Sequence, residues 1–231
     1  MSFFKKSTDK KDLEQGGTGG KYLGRSGCFP VNIIASFVSS SKGGSNSVDF
    51  FISHQEQHQV LYGDLRITNN NGEQNAIGAK VFNQLLVIAD VEEVSDPVDN
   101  ELPIGKKGVA EDVSVLEDLC DLDVIVRMQM EYNVYNNSIQ EKKVIKGFYR
   151  AEDMASAEEI VNETEAGVQY EKDSKYFESV TYKDGLDEAA ITKWIGEKRP
   201  KDTAGVAGST GGTGAAAKPS FGNKKKFGAK K

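Results

Sequence analysis

Residues 29–37 read "FPVNIIASF", and the alternation within them decides the class of fold. Phe29, Val31, Ile33, Ala35 and Phe37 recur at period 2, the spacing at which a β-strand places side chains on one face. A Gly/Ser-rich loop, "SSSKGGSNS" (39–47), follows, and then "VDFFIS" (48–53), with Val48, Phe50 and Ile52 facing in and Phe51 facing out. Past the loop "HQEQHQ" (54–59), "VLYGDLRITNN" (60–70) turns Leu61, Leu65 and Ile67 inward and Tyr62, Asp64 and Arg66 outward. Asn71-Gly72 supplies turn chemistry, because both residue types tolerate positive φ. The period then changes. In "AKVFNQLLVIAD" (79–90), Val81, Phe82, Leu85, Leu86 and Ala89 recur at i, i+3 and i+4, which predicts a helix. Strand alternation resumes in "DVIVRMQMEYNVY" (123–135), where Val124, Val126, Met128, Met130, Tyr132 and Val134 share a face. Asn136-Asn137 turns the chain into "KKVIKGFYR" (142–150). Three strands, a helix and a two-strand hairpin give a mainly β expectation: a five-stranded, OB-fold-like barrel with a helix between its third and fourth strands.

Short C-terminal helices complete this expectation. "SAEEIVNETE" (156–165) opens on Ser156 with Glu159 at capping-box spacing. "DEAAITKWIGEKR" (187–199) places Ala190, Ile191, Trp194 and Ile195 on one face. Both are expected to pack on or beside the barrel, within a single domain over 21–198. Residues 1–20, with four Lys and the run "GGTGG", read as a flexible basic arm. Residues 199–217 read as a Gly/Ala/Thr linker too poor in large apolar groups to pack. Residues 218–231 form a basic tail, so both ends are expected to be disordered.

Charge sharpens the division. The chain of 231 residues carries a net charge of −6, yet 218–231 hold six Lys and no acid. Acidic residues gather in 90–101, 111–123 and 152–165, six in each, which leaves the rest of the middle far less acidic and allows a locally positive groove. These acidic stretches read as solvated loops and helix faces without EF-hand spacing. With 38% apolar and 28% charged residues and no apolar run near the roughly 18 residues of a membrane span, a soluble globular protein without membrane contact is expected. The N-terminus lacks the apolar stretch of a secretory signal. Cys28 and Cys120, without a CxxC partner, read as reduced core thiols of a cytoplasmic protein.

Catalytic motifs fail on their mechanics. "GGTGGKY" (16–22) is one residue short of the phosphate-loop spacing, has Tyr22 where a magnesium-binding hydroxyl belongs, and follows no strand. "HQEQH" (54–58) has two His at i, i+4, but its Glu is misplaced for a zinc protease and the stretch reads as a solvated hairpin loop. No serine lies in a nucleophile-elbow context. A non-catalytic protein without metal or cofactor is expected, and a hydrolase is disfavoured for want of a base or metal set.

The outward strand face offers binding chemistry. Phe51, Tyr62 and Arg66 project from one face, a platform on which unpaired bases stack at about 1–3 kcal/mol each. Lys42 in the first long loop, Arg127 on the fourth expected strand, and Lys142, Lys143, Lys146 and Arg150 on the fifth supply phosphate partners. The alternative is that the aromatics lie under the C-terminal helices.

The stretch "GCFPVNIIASFVSSSKGGSNSVDFFIS" (27–53), followed by "LYGDLRITNNNGE" (61–73), resembles the single-stranded DNA-binding proteins of tailed bacteriophages, especially podoviruses that package a virion RNA polymerase. The similarity covers about 20–150 and continues loosely through "SAEEIVNE" and "DEAAITKWI". It implies an OB-fold early protein that coats single-stranded DNA in replication and recombination in the host cytoplasm and keeps DNA accessible to transcription. The tail departs from the acidic tails of many replication single-strand binders. Phe221 and Phe227, among Lys224, Lys225, Lys226, Lys230 and Lys231, read as apolar anchors for an RNA polymerase or a replication or recombination enzyme. Binding DNA phosphates, or the chain's own acidic clusters, are the other roles open to it. The rival reading is a phage structural or assembly β-domain without a nucleic-acid role, which the net negative charge favours.

Overall fold

The computed structural model describes residues 23–198, and the expected basic arm, linker and tail lie outside the described residues. Within them the chain is mainly β: β1 (Gly27–Ser40), β2 (Asn46–His54), β3 (Gln57–Arg66), α1 (Ala76–Ile88), β4 (Val98–Leu102), β5 (Glu111–Val115), β6 (Leu122–Tyr135), β7 (Ser138–Arg150), α2 (Ala157–Val161), α3 (Val168–Ser174), β8 (Thr181–Tyr182) and α4 (Glu188–Lys198). All eight strands join one sheet.

β1 is the branch point. One of its edges takes β2, from Asn32↔Ser53 to Ser40↔Asn46. Its other edge takes β6 along Gly27–Ile33 and β5 at Phe37 and Val38. β7 extends the sheet antiparallel to β6, while β8 runs parallel to β6 for two residues. Two-residue turns close the hairpins at Gln55-Glu56 and Asn136-Asn137, all four residues at positive φ, the backbone that matches strand twist.

The core follows the alternation. Val48, Phe50, Ile52, Leu61, Leu65, Val124, Val126, Met128, Met130 and Tyr132 are buried together, with Val81 and Leu85 of α1 laid over them. Val134, assigned to the same face, emerges near the hairpin end and is exposed. α1 starts three residues before the predicted helix because Asn75 caps it, its side chain accepting from the Gly78 N–H at 2.9 Å. The helix can approach β3 there because Gly78 lies directly against the Arg66 backbone carbonyl. The capping box at Ser156 forms, and Glu159 also accepts from the Gln169 N–H at 2.6 Å, tying α2 to α3. On α4, Ile191 is buried with Trp194 and Ile195 packed on the core, whereas Ala190 is exposed.

Three expectations are corrected. The five β1 residues do not share a face. A bulge between Ile33 and Ala35 adds a residue, so Phe29, Val31 and Ile33 enter the main core while Ala35 and Phe37 turn to the opposite side. The acidic stretches are not loops and helix faces throughout: Val98–Leu102 and Glu111–Val115 pair as the hairpin β4–β5. Nor is the sheet a closed five-stranded barrel. β3 and β7 pack together without a ladder, the Ile145 side chain lying against Gly63 on the inward face.

Candidate nucleic-acid interface

A groove of about 500 Å³ opens between β3 and β7. Its floor and walls come from three places: Ser39–Ser41 and Ser47 where β1 turns into β2, Asp49 with Val60 and Tyr62 on the sheet, and Glu141, Lys142 and Lys143 at the start of β7. The turn after β1 is braced by Ser41, whose Oγ lies 2.8 Å from Ser45 Oγ and accepts from the Ser45 N–H at 3.1 Å, with Gly44 at φ 86° completing it. Lys42 lies in this turn beside Ser41 of the groove wall and is exposed. Arg66, also exposed, is the register partner of Ser47 in the groove wall.

Tyr62 is the aromatic of the groove, with 58% of its surface exposed. Partial burial pushes its hydroxyl pKa up, and the carboxylates of Asp49 and then Glu111 push it further in the same direction. Lys143 is half-buried, and that burial lowers its ammonium pKa against the opposing pull of Glu141. A ring face flanked by lysines, with serine hydroxyls at the rim, can stack a planar base and hold its phosphate.

Four residues assigned to this surface do other work. Phe51 faces outward as expected but is 6% exposed, because β4–β5 covers that face and packs Val115 against Ala35, Phe37 and Phe51. The cover is the acidic hairpin, not the C-terminal helices. Arg127 is held by Asp173 of α3 at 2.7 Å and lies 5.8 Å from the Phe177 ring centroid, while Tyr149 donates to the same Asp173 oxygen at 2.7 Å. Lys146 pairs with the buried Glu131 at 2.8 Å, and Lys183 takes the other carboxylate oxygen. Arg150 grips Asp153 through Nε at 2.9 Å and Nη2 at 2.7 Å. The three cationic groups serve the fold by neutralising Asp173 of α3, Glu131 of β6 and Asp153 in the turn after β7. The structure therefore brings together Tyr62, Lys142 and Lys143, with Lys42 and Arg66 close by, and diverts Phe51, Arg127, Lys146 and Arg150. Phe221, Phe227 and the tail lysines lie outside the described residues.

Sequence reasoning missed Asp49 and Glu141. The signal for Asp49 was present, an acid at an outward strand position between Val48 and Phe50, but nothing local shows that it lines a groove. The solvated-loop reading holds for the exposed Gln55, Glu56 and His58 but not for His54. His54 is buried with Nδ1 2.8 Å from the Pro30 carbonyl, and His58 meets the Phe51 ring edge-on at 5.6 Å. Cys28 and Cys120 are free thiols, and burial pushes the Cys28 pKa up to about 12. Among the described residues no group of three or more His, Cys, Asp or Glu converges as a metal site, and no helix is long and apolar enough to cross a membrane. No protein-family model matches the chain, and no curated protein matches it.

Proposed function

We propose that the chain is a non-catalytic single-stranded DNA-binding protein, acting in phage replication and recombination and assisting transcription through its basic tail. The observation that carries the reading is the exposed Tyr62 ring in a groove walled by Lys142 and Lys143. Strand order lends support. Leaving aside β4, β5 and β8, the order β3-β2-β1-β6-β7 with β7 packed back against β3 matches the strand order expected of an OB-fold, without a ladder between β3 and β7. The groove then lies between the β1–β2 loop and the β6–β7 hairpin, the loops that flank the oligonucleotide in that fold. Stacking needs unpaired bases, so single strands bind and duplex does so weakly.

The test is fluorescence anisotropy with labelled single-stranded and duplex oligonucleotides across salt. Single strands bind tighter, with a log–log salt slope of about −0.7 per phosphate contacted, and Lys142→Ala with Lys143→Ala flattens that slope. Equal affinity for duplex, or no binding at low salt, refutes the reading. Deleting residues 218–231 leaves oligonucleotide affinity unchanged at physiological salt if the tail serves an RNA polymerase or a replication enzyme; a loss of affinity assigns the tail to DNA. A structural or assembly role is the second reading, favoured by the acidic β4–β5 hairpin laid over the sheet face.

A further inference from the structure

Asp49 is an unusual residue for a groove that takes a polyanion. It is 5% exposed, yet it lines the same groove as Tyr62, Lys142 and Lys143. On β2 it stands opposite Phe37 of β1, next to the irregularity between Val48 and Phe50. Its carboxylate is near enough to the Tyr62 hydroxyl to help raise that group's pKa. A phosphate would be repelled there. A carboxylate has about four lone-pair sites, so one already engaged inside the protein can still accept from a ligand's N–H.

Resting on the single-strand-binding reading above, we infer that Asp49 reads the edge of the base stacked on Tyr62 and makes the groove prefer cytosine to thymine or uracil. The division of labour follows from the chemistry of the three groups. Tyr62 presents a π-face that accepts any base. Lys142 and Lys143 are cations that suit the backbone. The carboxylate accepts only, and carboxylates recognise the 4-amino group of cytosine. Thymine and uracil carry a 4-oxo acceptor at that position, which faces the carboxylate with no proton between them, a mismatch that a desolvated groove makes costly.

The experiment compares oligo-dC with oligo-dU of equal length, about 15 nucleotides, on the full-length chain by competition anisotropy at neutral pH. These oligomers differ at the 4-amino/4-oxo position and the adjoining ring nitrogen. Oligo-dC is expected to bind about fivefold to tenfold tighter. An oligomer of 2-pyrimidinone deoxynucleosides, lacking both the 4-amino and the 4-oxo group, is expected to fall between the two. Asp49→Asn brings the dC and dU affinities together, because an amide can turn either a donor or an acceptor to the base. Equal binding of oligo-dC and oligo-dU by the unmodified protein overturns the inference and leaves single-strand binding standing. A pyrimidinone oligomer as tight as oligo-dC also overturns it. No binding of any oligomer at low salt refutes the function on which it rests. Should Asp49→Asn fail to fold, the three-oligomer ranking on the unmodified protein decides.

Discussion

Replacing Phe51 with Ala separates a ring that holds the fold from one that meets a ligand. Phe51 and Tyr62 lie on the same side of the sheet, Phe51 opposite Val60 and therefore two residues from Tyr62 along β3. Yet Phe51 is 6% exposed and Tyr62 58%. Truncating a buried Phe to Ala costs about 3–5 kcal/mol, from lost burial plus the cavity left behind. The cluster around Phe51 is thin. Its buried members are Ala35, Phe37, Phe51 and Val115, and Val60, Leu102, Ile104 and Val113 around them are partly exposed. β4–β5 can settle into part of the void, which sets the expected loss near the low end, about 3 kcal/mol. For a domain of this size each kcal/mol moves Tm by about 2–4 °C, so Tm falls by about 6–12 °C. Scanning calorimetry reads the shift, and anisotropy well below the transition reads oligonucleotide affinity, which stays at the unmodified level. An unchanged Tm with binding lost would refute the burial argument and return Phe51 to the surface.

Tyr62→Ala gives the opposite pair of readouts: oligonucleotide binding weakens by about 1–3 kcal/mol with Tm essentially unmoved, and a lowered Tm would mean the ring is structural. Glu131 is pushed up by burial, but hydrogen bonds from Lys146 and Lys183 outweigh this and hold its carboxyl below the usual 4.5. A depressed folded pKa contributes stability that is fully present above the unfolded value and is lost as pH falls through the folded one. Glu131→Gln is expected to cost about 1–2 kcal/mol at neutral pH, since its lysine partners are partly exposed, and to flatten the acid limb of a Tm–pH profile; an unaltered acid limb refutes the assignment. Gly78→Ala drives a methyl into the Arg66 carbonyl and destabilises by about 1–3 kcal/mol despite better helix propensity; a rise in Tm would show that α1 does not approach β3 so closely.

Much of the candidate site was legible because strand alternation is local. Tyr62 outward and Leu61 and Leu65 inward follow from period 2, and the Asn136-Asn137 turn follows from residues that tolerate positive φ. What failed did so for lack of long-range information. Nothing in 98–115 announces that an acidic, partly apolar segment will fold over Phe51, since β4 has no buried residue and β5 buries Val115 at its end. The lysines and arginines of 127–150 look alike in sequence. Asp153, Asp173 and Glu131 decide which of them are neutralised, and two of those acids lie beyond the strands concerned.

The sequence by itself determined the mainly β class, the helix after β3, the inward faces of β2, β3 and β6, and the capping of α2, because each rests on backbone geometry and side-chain chemistry within about ten residues. Tertiary structure alone decided that β1 changes faces at its bulge, that β3 and β7 pack without a ladder and leave the sheet open, and that Asp49 joins Tyr62 and Lys143 in one groove. Those outcomes depend on which strands become neighbours, and burial is a property of neighbours: the same outward Phe is a binding platform under water and a core residue under a hairpin.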